Sequence, residues 1–273
     1  MKINESTEHP EGCFSNSCDE CDGVLLREDE ERGCVASPCP IYLENRFTTS
    51  EERWLGYLGH RYPKMRALLD RETQLTIPLE LEPDEERRAQ AERALVNLNI
   101  ALEKFIQTWM EPKPHRGVIL IGPVGSGKTR AAIWLARKYV QITKTWVEVS
   151  VEREMLMAFT ESFQHSGPDW RRERVWSCPA LYLDDVGTKL NYTDAQLDEE
   201  NNLLMHHDDK GHLLILTTNK YLVDEKDEYG NTIEKGLVGE GIIDDRLASR
   251  LMASCALFST HGIPDWRMLS VGL

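Results

Sequence analysis

The sequence predicts an α/β domain preceded by a small cysteine-rich module and a helical linker. Three observations carry this expectation. Residues 122–129 read Gly-Pro-Val-Gly-Ser-Gly-Lys-Thr, a complete G-x-x-x-x-G-K-T phosphate loop set between a strand-like apolar run at 117–121 and a helix-like run at 129–136. Two later apolar runs, 180–183 and 212–216, lead into Asp184-Asp185 and Thr217-Thr218-Asn219, so each places polar groups where a strand leaves a sheet. Five of the seven cysteines fall within the first 39 residues.

Residues 1–46 form the cysteine-rich module. They hold eleven acids against four bases, which supplies half of the net charge of −14 and leaves the remainder of the chain less acidic per residue. Cys18 and Cys21 make a C-x2-C pair, and Cys34 and Cys39 follow a short hairpin later. Four thiolates at this spacing fit tetrahedral Zn2+, which gives a segment too small for its own core a reason to fold. The second pair is wider than usual and Cys13 is a spare ligand; a redox pair and free cysteines in an unstructured arm are the other readings.

Residues 47–84 read as a helical linker. A charged, helix-prone stretch runs over 49–70 to a break at Leu75-Thr-Ile-Pro78, and Pro83-Asp84-Glu85-Glu86 then opens a second helix. In that helix Ala91, Ala94, Leu95, Leu98, Ala101, Leu102, Phe105 and Trp109 recur at three- and four-residue spacing, giving one apolar stripe for the chain's own core or for a partner. It ends at Pro112 and Pro114, and residues 85–273 are assigned to the catalytic domain.

The chemistry of that domain starts at the phosphate loop. Gly122, Pro123, Val124, Gly125, Ser126, Gly127, Lys128 and Thr129 surround the phosphates of a nucleoside triphosphate: the glycines let backbone N–H groups turn inward, the helix N-terminus adds its positive end, Lys128 reaches β and γ oxygens, and Thr129 ligates magnesium. Asp184 and Asp185 then form a Walker B pair, Asp184 holding Mg2+ and Asp185 polarising the attacking water. Asn219 is placed to orient that water. Arg246 and Arg250 are four apart and share one helix face, where two arginines on a monomer are usually solvated.

Other elements fill the spaces between these motifs. Residues 145–151 read as a strand, 154–163 as the helix after it, and 255–260 as a last strand. In Trp170-Arg-Arg-Glu-Arg-Val-Trp176 the arginines and aromatic flanks suit a single-strand nucleic-acid groove or, more simply, a solvated surface loop. Residues 224–236, centred on Tyr229-Gly-Asn231, resemble an inserted charged hairpin.

Taken together, the strings GPVGSGKT, LYLDDVG, ILTTN and DDRLASRL resemble the AAA+ ATPases, and within them the DnaC/DnaI helicase loaders and IstB transposition helpers. The resemblance covers roughly residues 86–273. It implies a five-stranded parallel sheet flanked by helices, with the phosphate-loop and Walker B strands on either side of the Asn219 strand. It implies Asn219 as sensor 1 and Arg250, or else Arg246, as an arginine finger completing a neighbour's site. Asp185, where most AAA+ proteins carry Glu, and the short stretch after Arg250, which leaves no room for a C-terminal lid domain, both match the loaders and imply a slow, switch-like ATPase.

The expected protein is therefore an ATP- and Mg2+-dependent loader of a replicative hexameric helicase onto single-stranded DNA, acting as a homo-oligomer. The alternatives are an ATPase that delivers a transposase and a scaffold that binds nucleotide without turnover. Some loaders carry an N-terminal zinc module that meets the helicase, and the cysteine cluster resembles it. The acidic charge argues against indiscriminate adhesion to nucleic acid. With no run of eighteen apolar residues and no apolar signal-peptide region, a cytoplasmic location without membrane contact is expected.

Overall fold

A computed structural model describes residues 50–69, 82, 84–109, 117–164, 170–188 and 191–265, together with the backbone of 24–29 and 33–38. The front strands β1 (Val24–Asp29) and β2 (Gly33–Pro38) pair antiparallel, with Glu28 opposite Cys34. Of the proposed zinc ligands, Cys18, Cys21 and Cys39 lie outside the described residues, as does the Cys34 side chain.

The helical segment breaks at Pro63 into α1 (Ser50–Arg61) and α2 (Pro63–Ala67), and the long helix α3 (Glu85–Thr108) follows. Asp84 caps α3, its Oδ1 accepting the N–H groups of Glu86 at 3.0 Å and Arg87 at 3.1 Å, which satisfies two donors that the helix cannot. Then come β3 (Gly117–Ile121), α4 (Lys128–Thr143), β4 (Glu148–Val151), α5 (Glu152–Gln164), α6 (Trp170–Ser177), β5 (Ala180–Val186), α7 (Asp194–Lys210) and β6 (Leu213–Thr218). The expected hairpin insertion is present as β7 (Glu225–Lys226) and β8 (Thr232–Glu234), and α8 (Asp245–Ser254) runs directly into β9 (Cys255–Ser259).

Five strands form one parallel sheet in the order β4-β5-β6-β3-β9. Both the phosphate-loop strand β3 and the carboxylate strand β5 therefore flank β6, the arrangement that the resemblance implies. Alternation along the strands sends side chains to two core layers. Val118, Leu120, Tyr182 and Ile215 face one layer with α1 to α4, whereas Ile119, Leu181, Leu183 and Leu214 face the other with α5 to α8.

The apolar stripe of α3 is spent on this core, since Ala91, Leu95, Leu98, Leu102 and Phe105 are all buried in it. Trp54, Tyr57 and Leu58 of α1 join the same layer, and Trp54 Nε1 donates to Val147 O at 2.8 Å. Among the described residues, no helix is long and apolar enough to cross a membrane.

Candidate functional site

The site gathers at the C-terminal ends of β3, β5 and β6. Gly125 and Gly127 take φ of +75° and +90°, left-handed values that glycine adopts without a Cβ penalty, and these bend residues 122–127 into a loop after β3. Gly127 is the N-cap of α4 and offers no side-chain acceptor, so backbone donors and the positive helix end face the loop. Lys128 is buried at 5% exposure, its Nζ donating to Gly122 O at 2.8 Å and Pro123 O at 2.7 Å. Pro123 and Val124 are exposed at the loop's outer turn, while Ser126 is buried.

Thr129, on the first turn of α4, donates its hydroxyl to Asp184 at 3.1 Å from Oδ1 and 3.3 Å from Oδ2. The two expected magnesium ligands are thus side by side although 55 residues apart in sequence. Asp184 is buried and held from two more directions, by Tyr182 Oη at 2.5 Å and Thr217 Oγ1 at 2.6 Å. Burial, and then the Asp184 charge, pushes the Tyr182 hydroxyl well above its ordinary pKa, so it stays a donor.

Asp185 takes φ +61°, a left-handed backbone at a non-glycine residue. Asp is one of few side chains that tolerate this region, and such strain costs about 1–3 kcal/mol and clusters where a side chain must be aimed. The β5–β6 register shifts between Leu183 and Val186, the bulge that lets Asp184 and Asp185 point differently. Thr217 ties both residues, accepting from the Asp185 N–H at 2.9 Å while donating to Asp184.

Asn219 follows the last residue of β6, and Thr218 O accepts the Gly122 N–H at 3.2 Å, which sets Asn219 beside the loop. Its Oδ1 is buried without a hydrogen-bond partner among the described residues. An acceptor kept from solvent and unpaired is costly, by about 1–3 kcal/mol, and fits a group reserved for a ligand or water. These features together suit Mg2+ and a triphosphate: bare-backbone glycines, a buried lysine, a Thr129–Asp184 pair and an unpaired amide oxygen.

The arginines of α8 are not brought to this site in the monomer. Arg250 donates to Asp208 Oδ2 at 2.6 Å and to Asp209, both on α7, and these carboxylates hold its guanidinium above the ordinary value. Arg246, one turn earlier, is exposed and has no such partner among the described residues.

The segment from Trp170 is neither a loop nor a free basic groove. It is helix α6, and its arginines are paired: Arg171 with Glu161 at 3.8 Å, Arg172 with Glu199 at 2.7 Å, and Arg174 with Glu148 at 2.6 Å. Tyr182 and Thr217 escaped the sequence reading. Tyr182 stands two residues before Asp184 on the same strand face, a signal that was available; the Thr217 contact depends on β5–β6 register, which no local pattern encodes.

The sheet order and the loop define the class, a P-loop α/β protein of AAA+-like architecture. The chain is similar to a solved structure of the DnaC helicase loader, at 15% identity and a TM-score of 0.49 over 61% of this chain and 89% of that one. It is similar to DnaI at 15% identity and a TM-score of 0.47 over 68% and 95%, and to AMPPCP-bound DnaA from Aquifex aeolicus at 17% and 0.45 over 59% and 44%. The chain thus spans less than half of that DnaA chain. No protein-family profile and no curated protein matches the sequence.

Proposed function

We propose that this protein is an ATP-switched oligomer that loads a replicative hexameric helicase onto single-stranded DNA. The observation that carries the ATPase half is the part-buried Thr129–Asp184 contact beside a glycine-bent loop. The loader half rests on the motif string from GPVGSGKT to DDRLASRL, with Asp in the second Walker B position.

Mg2+–ATP supplies the electrophilic γ-phosphorus and the charge that the metal neutralises. The chain's own residues do the rest. Loop N–H groups and Lys128 would bind phosphate oxygens, Thr129 and Asp184 would hold the metal, and Tyr182 and Thr217 fix the Asp184 carboxylate. Asp185, aimed by its left-handed backbone, would polarise the attacking water as its oxygen bonds the γ-phosphorus and the bond to the ADP leaving group breaks, and Asn219 Oδ1 would orient that water. An arginine of α8, Arg250 or Arg246, completes the site of a neighbouring copy, which makes turnover assembly-dependent. Cys18, Cys21, Cys34 and Cys39 bind Zn2+ in the front module, and the protein works in the cytoplasm.

Nucleotide titration and affinity capture test the two halves separately. Lys128→Ala and Asp184→Asn should lose Mg2+–ATP binding or turnover while staying folded; wild-type phosphate release by either folded variant refutes the ATPase reading. Wild type bound to ATP should retain a hexameric helicase from host lysate. Recovery of a transposase instead refutes the loader reading in favour of a transposition helper.

A further inference from the structure

The segment leaving β9 turns back onto the phosphate loop. Thr260 is fully buried, its N–H donates to Ile121 O at 2.8 Å, and its hydroxyl meets Ser126 Oγ at 2.5 Å. His261 then stacks on Tyr221, ring centroids 5.3 Å apart and planes 7° from parallel, and Gly262 takes φ +85°. Ile263 enters the core beside α3 and donates its N–H to Thr260 O at 3.2 Å, and Pro264 restricts the next φ.

This anchored turn sets the Asp265 carboxylate directly against Gly125. A methyl group in place of the Gly125 hydrogen would overlap Oδ1, Cγ and Oδ2 of Asp265. Gly125 is in the left-handed region, so the loop presents bare backbone to an anion already carried by the chain. The uncapped N-terminus of α4 next to it favours negative charge of any source.

We propose that the Asp265 carboxylate is an internal competitor for the anion-binding face of the phosphate loop, and that nucleotide binds fully only when residues 263–265 withdraw. The proposal rests on the reading of residues 122–129 as a triphosphate loop. Carboxylate and phosphate oxygens seek the same donors, and two anions at one loop repel each other. Measured nucleotide affinity then includes the fraction of molecules in which the carboxylate has moved away. If that fraction is about one in ten, the apparent affinity is about tenfold weaker than the intrinsic one.

The test is titration of the full chain with a fluorescent adenine nucleotide and Mg2+, using wild type, Asp265→Asn, Asp265→Ala and Lys128→Ala. Asp265→Asn keeps the shape and removes the charge, so it should bind about tenfold more tightly, and Asp265→Ala at least as tightly. Hydrogen exchange on wild type gives a second measurement that needs no variant: amides 261–265, apart from proline, should lose protection when nucleotide saturates the protein. Unchanged or weaker binding by folded Asp265 variants, or tail protection that rises with nucleotide, overturns the competitor while Lys128-dependent binding leaves the loop reading intact. Absence of nucleotide binding in all four proteins overturns both.

Discussion

Replacing Arg174 with Met should destabilise the fold by about 3–5 kcal/mol, the cost of stranding a buried charge. The Arg174 and Glu148 side chains are only 5% and 7% exposed, and Nη2 and Nε of the arginine reach Glu148 Oε2 at 2.6 and 3.1 Å. Tyr57 Oη donates to Glu148 Oε1 at 2.7 Å, Trp146 Nε1 to Oε2 at 3.3 Å, and the guanidinium lies 4.7 Å from the Tyr57 ring centroid. The network thus joins α1, β4 and α6. Without Arg174, Glu148 keeps two neutral donors and no countercharge.

The control is Arg171→Ala. Its pair with Glu161 is 3.8 Å long and about half exposed, so the loss should be at most about 1 kcal/mol. A second control, Arg174→Met with Glu148→Leu, removes both charges and should restore most of the stability, because hydrophobic replacement of a buried pair is often neutral. Urea unfolding with a common m-value reads all three, and the melting temperature of Arg174→Met should fall by roughly 10 °C. If Arg174→Met is as stable as Arg171→Ala, the network does not hold α1 to the sheet. If it stays stable yet weakens binding to single-stranded DNA, the assignment of Arg174 to packing is refuted outright.

Freshly purified protein should contain about one zinc per chain, and Cys21→Ser should lower that content while ATP binding persists; metal analysis without zinc in chelator-free protein rejects the four-thiolate site. Arg250→Ala should bind ATP yet lose assembly-dependent turnover, with partial recovery on mixing with Lys128→Ala. If Arg250→Ala turns over normally and Arg246→Ala does not, Arg246 is the finger and Arg250 is a tie to α7. Burial holds the His207 imidazole neutral, its pKa down at about 4, while Nε2 donates to Val175 O at 2.6 Å. A group whose folded pKa lies below its unfolded value of about 6.5 stabilises fully above that value, so up to about 3 kcal/mol should disappear as pH falls from 6.5 toward 4. His207→Gln should flatten that slope in urea unfolding.

What was legible in the sequence was local. The phosphate loop is one continuous string whose glycines have a backbone reason, and the stripe of α3 repeats with the helix period, so both could be read without tertiary information. β4 begins three residues later than expected, because Lys144 ends α4 in a left-handed cap and the Thr145 N–H bonds to Thr143 Oγ1 at 3.1 Å. Helix α6 misled for a different reason. Arginines flanked by tryptophans suit a nucleic-acid surface in composition, but Glu161, Glu199 and Glu148, which absorb them, stand on α5, α7 and β4. Contacts made across elements, like Thr217 to Asp184 or Asp265 to Gly125, leave no mark on the spacing of the residues involved.

The arginines proposed for a neighbour's site and the tail that touches this chain's own loop belong to one uninterrupted stretch. α8 ends at Ser254, β9 begins at Cys255 with no intervening turn, and Thr260 meets Ser126 immediately after the strand. β9 is hydrogen-bonded to β3 from Gly117↔Cys255 to Ile121↔Ser259, so the strand cannot slide without breaking ladder bonds. Motion at the loop is therefore restricted to the ends of this stretch: residues 260–265 on one side, and α8 with its Asp208 and Asp209 contacts on the other. Substitutions at Asp265 should accordingly change nucleotide affinity without moving Arg250, whereas breaking the Arg250 tie should alter assembly and leave nucleotide affinity in place. A variant at either end that shifts both quantities together would show that β9 transmits the change despite its full ladder.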